Sequence, residues 1–227
     1  MRKTVVISGG SEGLGYATAK ALVTDYNVYI LAPTKDKLVN AAQELGCKYK
    51  VCDVSNWEQV SSVVREIQSE SSSIDICINN AGLWIQDELD TNDPEYISKV
   101  LNVNTLGVMY LSKAVIPMMK KNSSGIILNV ISQAGLHAKA QRTVYNASKW
   151  GVTGFTKSLY QELTPYGIKV LGIYPSLINT SMFKKMGFDR DMSGALDPSE
   201  VAGAIKFMLE SKDSTAITEL GMLNINY

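Results

Sequence analysis

Tyr145 and Lys149 stand four residues apart, and Ser132 lies thirteen residues upstream of the tyrosine, at the end of the apolar run 126–131. If residues 146–148 are helical, positions 145 and 149 share one face, one turn apart. An ammonium would then stand beside a phenol. Two such groups about 4 Å apart at an effective dielectric near 20 interact by roughly 4 kcal/mol. That corresponds to about three pKa units, enough to bring a phenol from ~10 toward neutrality. A phenol so tuned exchanges protons at cellular pH. Any long helix can contain this spacing by coincidence, so the weight of the pair depends on the rest of the chain.

The second feature with chemical content is Ser8-Gly9-Gly10-Ser11-Glu12-Gly13-Leu14-Gly15, between an apolar run and a stretch of helical composition beginning at Tyr16. Glycines there permit a tight turn, close approach of a phosphate to backbone N–H groups, and close helix–strand packing. The N-terminus of the following helix adds a partial positive charge for an anion. Glycine-rich turns also serve purely structural ends, but this location favours a nucleotide. The spacing is Gly-x3-Gly-x-Gly.

The elements that must position these groups follow from the pattern. Short β-branched runs at 4–8, 27–31, 48–52, 74–79, 125–131, 168–174 and 217–225 alternate with amphipathic stretches near 13–25, 35–46, 56–70, 94–121, 143–165 and 198–210. Several runs are apolar on both faces, as in a parallel sheet covered by helices on both sides. The alternation predicts a single-domain, doubly wound α/β fold of about seven strands over residues 1–227. No linker, repeat or low-complexity tract divides the chain.

The 227 residues are 45% hydrophobic and carry 22 basic and 22 acidic side chains. Zero net charge gives no electrostatic argument for nucleic acid or an anionic membrane. Cys47, Cys52 and Cys77 are odd in number and lie in or beside apolar runs, which predicts buried thiols in a reducing compartment and no metal site. No run is long enough to span a bilayer. The expectation is a soluble, cytoplasmic protein.

Taken together, these motifs resemble the short-chain dehydrogenase/reductase family in its single-domain, Rossmann-type form, over essentially the whole chain. Gly9, Gly13 and Gly15 match the family's cofactor loop, which brings Ser11 and Leu14 with them. Asp53-Val54 matches its adenine-contacting pair. Asn79-Asn80-Ala81-Gly82 is its Asn-Asn-Ala-Gly motif, and Asn104 best matches its helix asparagine. Ser132, Tyr145 and Lys149 complete the family tetrad. Pro175, Ile178 and Thr180 match the segment that contacts the nicotinamide amide. The resemblance implies hydride transfer between a nicotinamide cofactor and a carbonyl or secondary alcohol. Tyr145 is then the acid in reduction and the base in oxidation. Ser132 holds the substrate oxygen, Lys149 lowers the phenol pKa and holds the ribose, and Asn104 supports a water-linked proton relay.

The end of the second strand reads Leu31-Ala32-Pro33-Thr34-Lys35, with no acid to bond a ribose 2′-hydroxyl. Thr34 and Lys35 suit a 2′-phosphate, which favours NADP(H) over NAD(H), although Glu12 argues the other way. Segments 83–90, 135–141 and 181–196 are expected to form the substrate face, with Met182, Phe183, Met186 and Phe188 as lid residues. His137 and Trp84 fall near that face as lining or packing residues. Ser176 stands where the family has glycine, and residues 218–227 lack the Asp-Gly-Gly ending of many 3-oxoacyl-thioester reductases. A homodimer or homotetramer follows from the resemblance. The leading expectation is an NADP(H)-dependent carbonyl reductase. The alternatives are an NAD-dependent hydroxy-acid or sugar alcohol dehydrogenase, and a regulator that binds dinucleotide without turnover.

Overall fold

The computed structural model describes residues 2–185, 187 and 191–225. Seven strands form one parallel sheet: β1 (Thr4–Ser8), β2 (Asn27–Ala32), β3 (Lys48–Val51), β4 (Ile76–Asn79), β5 (Gly125–Val130), β6 (Ile168–Pro175) and β7 (Glu219–Met222). Their order across the sheet is β3-β2-β1-β4-β5-β6-β7. The helices are α1 (Gly13–Leu22), α2 (Lys35–Leu45), α3 (Trp57–Ser71), α4 (Pro94–Leu101), α5 (Gly107–Asn122), α6 (Thr143–Leu163), α7 (Met182–Lys185) and α8 (Pro198–Leu209). This is the doubly wound α/β architecture that the strand–helix alternation predicts.

Side chains alternate across each strand, so period two divides the core into two layers. Val5, Ile7, Ile30, Ile78 and Leu171 face the side covered by α1, α2 and α8. Val6, Tyr29, Leu31, Cys77 and Val170 face the side covered by α3, α5 and α6. Strands apolar on both faces are the direct consequence of two helical layers. Among the described residues no helix is long and apolar enough to cross a membrane. All three cysteines are free thiols, and burial pushes each well above its ordinary pKa. Among the described residues no cluster of metal-ligating side chains occurs.

One stretch departs from the expected continuous helix over 94–121. Between α4 and α5, residues Asn102–Leu106 form a π-helical turn. A π-bulge inserts an extra residue into a helix and rotates the side chains that follow it. Here it carries the fully buried Asn104. Composition cannot reveal this turn, because every residue in it is compatible with an ordinary helix.

Strand order explains where a ligand can sit. The chain leaves β1 toward β2 on one side and returns to β4 on the other, so the crossovers diverge there and open a crevice beyond the strand ends. Polar side chains pin the central strands to the helices beneath. Asn79 Nδ2 donates to Asn129 Oδ1 at 2.8 Å and to Ser112 Oγ at 3.0 Å, and Asn129 Nδ2 donates to Thr156 Oγ1 at 2.8 Å. This network ties β4 and β5 to α5 and α6, the helix that bears Tyr145 and Lys149. All four residues are buried, so each lost bond leaves a desolvated group unsatisfied. Asn129→Ala should lower the unfolding free energy by about 1–3 kcal/mol. Urea denaturation checks this, and an unchanged midpoint would show that the network contributes nothing.

Candidate active site

A cavity of about 360 Å³ opens beyond the C-terminal ends of β1, β4, β5 and β6. Of the residues singled out from the sequence, Leu14, Asn80, Gly82, Ser132, Tyr145, Lys149, Pro175, Ile178 and Thr180 line it. The glycine loop borders it through Leu14, and the loop's geometry requires glycine. Gly9 and Gly13 have φ of +66° and +56°. A Cβ at Gly15 would stand 2.1 Å from the Gly9 carbonyl oxygen. A Cβ at Gly9 would meet Ala81 Cα at 2.9 Å, so the loop packs directly on the end of β4. Ser11 belongs to the same turn.

Ser8 and Asn80 lock that junction. Ser8 Oγ accepts from the backbone N–H of Asn80 at 3.0 Å and of Ala81 at 3.1 Å. Asn80 Nδ2 donates to the carbonyl oxygens of Ser8 at 3.0 Å and Gly9 at 3.1 Å. Hence Ser8, where the resembled family has threonine, supplies the hydroxyl this junction needs.

Asn104 does not line the cavity. Its Oδ1 accepts from the Leu83 N–H at 2.7 Å, while Nδ2 donates to the Leu83 carbonyl at 2.9 Å and to Ser148 Oγ at 3.1 Å. The π-helical turn thus aims this amide at the chain leaving Gly82. No hydrogen bond joins Asn104 to Lys149. Both nevertheless border one space, since a Cβ at Gly82 would lie 3.5 Å from Asn104 Oδ1 and 3.9 Å from Lys149 Nζ.

Tyr145 and Lys149 share one face of α6, as their spacing predicts, but the electrostatics differ from the expectation. Lys149 Nζ donates to the Val130 carbonyl oxygen at 3.2 Å and lies 5.8 Å from the Tyr145 ring centroid. Burial pushes the phenol up to about 12, against smaller lowering effects from the Ser132 hydrogen bond and the Arg142 charge. Burial likewise brings Lys149 down to about 8. With protein groups alone, desolvation therefore outweighs the Coulomb attraction that the helical spacing suggested. Tyr145 holds its proton firmly.

Thr34, Lys35, Asp53 and Val54 stand away from this cavity, at the ends of β2 and β3. Thr34 caps α2 without a side-chain hydrogen bond. Asp53 Oδ1 accepts from the Ser55 N–H and hydroxyl at 2.9 and 2.7 Å, so this carboxylate organises its own turn. Val54 is buried against Gly107, where a Cβ would meet Val54 Cγ2 at 2.7 Å. Lys37, which the sequence reading did not single out, pairs with Glu12 at 3.8 Å. Its signal was available, since it lies in the first turn of α2 facing the glycine loop.

On the substrate side, Trp84 is buried, 4.4 Å from the Tyr145 ring and 5.0 Å from Phe183 between centroids. Segments 83–90 and 135–141 meet through the Asp87 N–H and the Gln141 carbonyl at 2.9 Å. His137, Met182 and Phe183 line the cavity, whereas Met186 and Phe188 fall outside the described residues. Ser176 also lines it, its backbone N–H bonded to the Met222 carbonyl at 2.8 Å. Arg142 lines it too and was missed, because an arginine just before a helix reads as surface.

The depressed pKa of Lys149 has a consequence for stability. Below about pH 8 the folded protein holds a desolvated ammonium, a cost of roughly 3 kcal/mol for a shift from 10.5 to about 8. Between those values the unfolded state binds more protons, so the folded state gains stability as pH rises. Lys149→Met should therefore be the more stable protein at pH 7 in the absence of ligand. Its advantage should shrink between pH 8 and 10.5, as thermal unfolding of both proteins over pH 7–10.5 would reveal. A constant difference across that range would contradict the assignment.

Comparison with known proteins fits this geometry. The family described as short chain dehydrogenase matches residues 3–191. An uncharacterized oxidoreductase of Staphylococcus aureus (strain N315) is 29% identical over 222 residues, covering 96% of this chain and 95% of the relative. The alcohol dehydrogenase of the archaeon Thermococcus sibiricus, complexed with 5-hydroxy-NADP, superposes with a TM-score of 0.90 at 25% identity, covering 100% of this chain and 98% of its own. A metagenomic short-chain oxidoreductase in complex with NADP superposes at 0.85 with 25% identity, covering 97% and 96%. With its parallel sheet, glycine loop and cavity in this order, the chain belongs to the short-chain dehydrogenase family.

Proposed function

We propose that the protein is an NADP(H)-dependent oxidoreductase that interconverts a carbonyl compound and a secondary alcohol. The observation that carries this reading is the convergence of Tyr145, Ser132 and Lys149 on one cavity that the glycine loop also borders. The residues fit a dinucleotide on three counts. Gly9 and Gly13 hold a positive-φ turn and Gly15 lets the start of α1 pack directly on it, so the loop keeps a conformation that any side chain would strain or clash with. The open space beside Gly82 is bordered by Lys149 Nζ and Asn104 Oδ1. Among the described residues the buried Lys149 donates to one carbonyl and can still donate to ribose hydroxyls. A bound nicotinamide would supply or accept the hydride.

The chain's own groups handle the proton. Tyr145, protonated throughout the physiological range, donates to a carbonyl oxygen as charge develops there. Ser132 Oγ is fixed by the Ala134 N–H at 3.1 Å, and its hydroxyl, which bonds the Tyr145 phenol, turns to the same substrate oxygen when one enters. In the oxidising direction the phenol must lose its proton, and the charges of Lys149 and Arg142 stabilise the phenolate. Asn104 keeps Leu83 and Gly82 in place beside Lys149, a positioning role. Trp84 and Phe183 exclude water from the reacting carbon.

NADP(H) is favoured because Thr34 precedes α2 and Lys35 and Lys37 flank Asp36 in its first turn, with no carboxylate at the end of β2 itself. The Glu12–Lys37 pair offsets the carboxylate that would repel a 2′-phosphate. The two related structures that bind an NADP-type cofactor are in line with this choice. A cytoplasmic location accords with the three free cysteines. Assembly as a homodimer or homotetramer is part of the same reading, supported by exposed Leu101, Leu106 and Trp150 around α4–α6. A solution mass of 24.8 kDa by light scattering would exclude it.

Tyr145→Phe should retain cofactor binding and lose turnover by at least about a hundredfold. Steady-state kinetics with a reducible ketone, paired with fluorescence titration of NADPH, separates the two effects; undiminished turnover would refute the role. In the wild type NADPH should bind more tightly than NADH, and Lys35→Met should weaken NADPH about tenfold while leaving NADH nearly unchanged. Tighter NADH binding would reverse the cofactor assignment.

A further inference from the structure

Beyond the field its charge exerts on the Tyr145 phenol, Arg142 has no assigned ligand, yet it stands at the reacting end of the cavity. It precedes α6 by one residue and Tyr145 by three, and makes no side-chain capping bond. Its guanidinium carbon lies 5.1 Å from the centroid of the Trp84 ring, the same ring that packs on Tyr145 at 4.4 Å. Guanidinium and phenol are thus held against one indole. Arg142 forms no ion pair among the described residues. Asp87 reaches this segment through its backbone N–H and makes no ion pair with Arg142.

The surroundings point the same way. Among the described residues lining the cavity there is no aspartate or glutamate, while His137 and Lys139 join Arg142 on the wall. Trp84 Nε1 is buried without a hydrogen-bond partner. An indole N–H can only donate, so it too calls for an acceptor. A neutral ketone would leave the parallel N–H donors of this partly desolvated guanidinium without an acceptor. It suits a ligand that brings an oxyanion, which a guanidinium fork binds through two parallel hydrogen bonds.

We propose that the substrate carries an oxyanion, a carboxylate or a phosphate, which Arg142 binds while Tyr145 and Ser132 meet the carbonyl oxygen. The substrate class is then a short oxo acid, or an oxoalkyl phosphate, and the corresponding hydroxy compound. This inference rests on the carbonyl–alcohol reading above. In reduction, hydride adds to the carbonyl carbon and Tyr145 gives its phenolic proton to the carbonyl oxygen. The oxyanion keeps its charge throughout, and the reduced dinucleotide is the reductant. Because the oxyanion is bound equally before and after hydride transfer, Arg142 acts in substrate selection.

The test compares 2-, 3- and 4-oxoalkanoates with their methyl esters, and an oxoalkyl phosphate with its parent hydroxyketone, in wild type, Arg142→Met and Arg142→Lys. In at least one pair the wild type should favour the anion by about tenfold or more in kcat/KM. Arg142→Met should bring that ratio to within about threefold of unity, with Arg142→Lys between, since an ammonium keeps the charge and loses the fork. Loss of Arg142 also changes the phenol's surroundings, but Tyr145 serves both members of a pair, so the ratio isolates recognition. Whichever anion gives the larger ratio identifies the group. Equal turnover of acid and ester by the wild type, or an undiminished preference in Arg142→Met, overturns the proposal. If no carbonyl compound of either kind is turned over, the reading of the reaction fails, and calorimetry decides on Arg142 alone. Butanoate must then bind the wild type about tenfold more tightly than Arg142→Met, and equal affinity rejects the site.

Discussion

The junction between the ends of β1 and β4 is the constraint on which the rest of the site depends. Two strands that are neighbours in the sheet send their chains in opposite directions at this point, one into the glycine loop and the other toward Trp84. Four hydrogen bonds between Ser8, Gly9, Asn80 and Ala81 hold those exits together. The contact is so close that a Cβ on Gly9 or Gly15 would overlap backbone or amide atoms. The glycine loop is therefore held at fixed distance from β4, and Leu14 at the cavity is placed relative to that junction. Asn104 extends the same logic one residue farther, gripping both backbone groups of Leu83 from a π-helical turn.

Opposite the junction, α6 presents a tyrosine and a lysine that are both buried, and burial decides their protonation. A desolvated ammonium is costly, and a single carbonyl partner offsets only part of that cost. The phenol is held neutral by the same low-dielectric surroundings. The fold thus stores an unfavourable lysine next to a buried phenol, at a place anchored by the Asn79–Asn129–Thr156 network. Stability is given up locally at Lys149, the kind of cost that collects at functional sites.

Much of this was legible in the residue pattern. Strands apolar on both faces, separated by amphipathic stretches, have few solutions other than a parallel sheet between two helical layers. The glycine spacing and the order of motifs along the chain placed Leu14, Asn80, Gly82, Ser132, Tyr145, Lys149 and Thr180 at one site, and the cavity brings them together. Other details were beyond the reach of spacing. Spacing could not show that the Asn104 amide holds both backbone groups of Leu83 and the Ser148 hydroxyl. Lys149 was expected to lower the Tyr145 pKa, yet its ammonium turns to the Val130 carbonyl.

The sequence by itself determined the fold class, the glycine loop and the sharing of one helical face by Tyr145 and Lys149, because these depend on local conformation and on periodicity. Only the tertiary structure decided the protonation of that pair, the partner of Glu12, and the placing of Arg142 against Trp84. Those are matters of distance and dielectric between segments remote in the chain. Helical spacing places two side chains on one face, but the surrounding layers set how much water either one keeps.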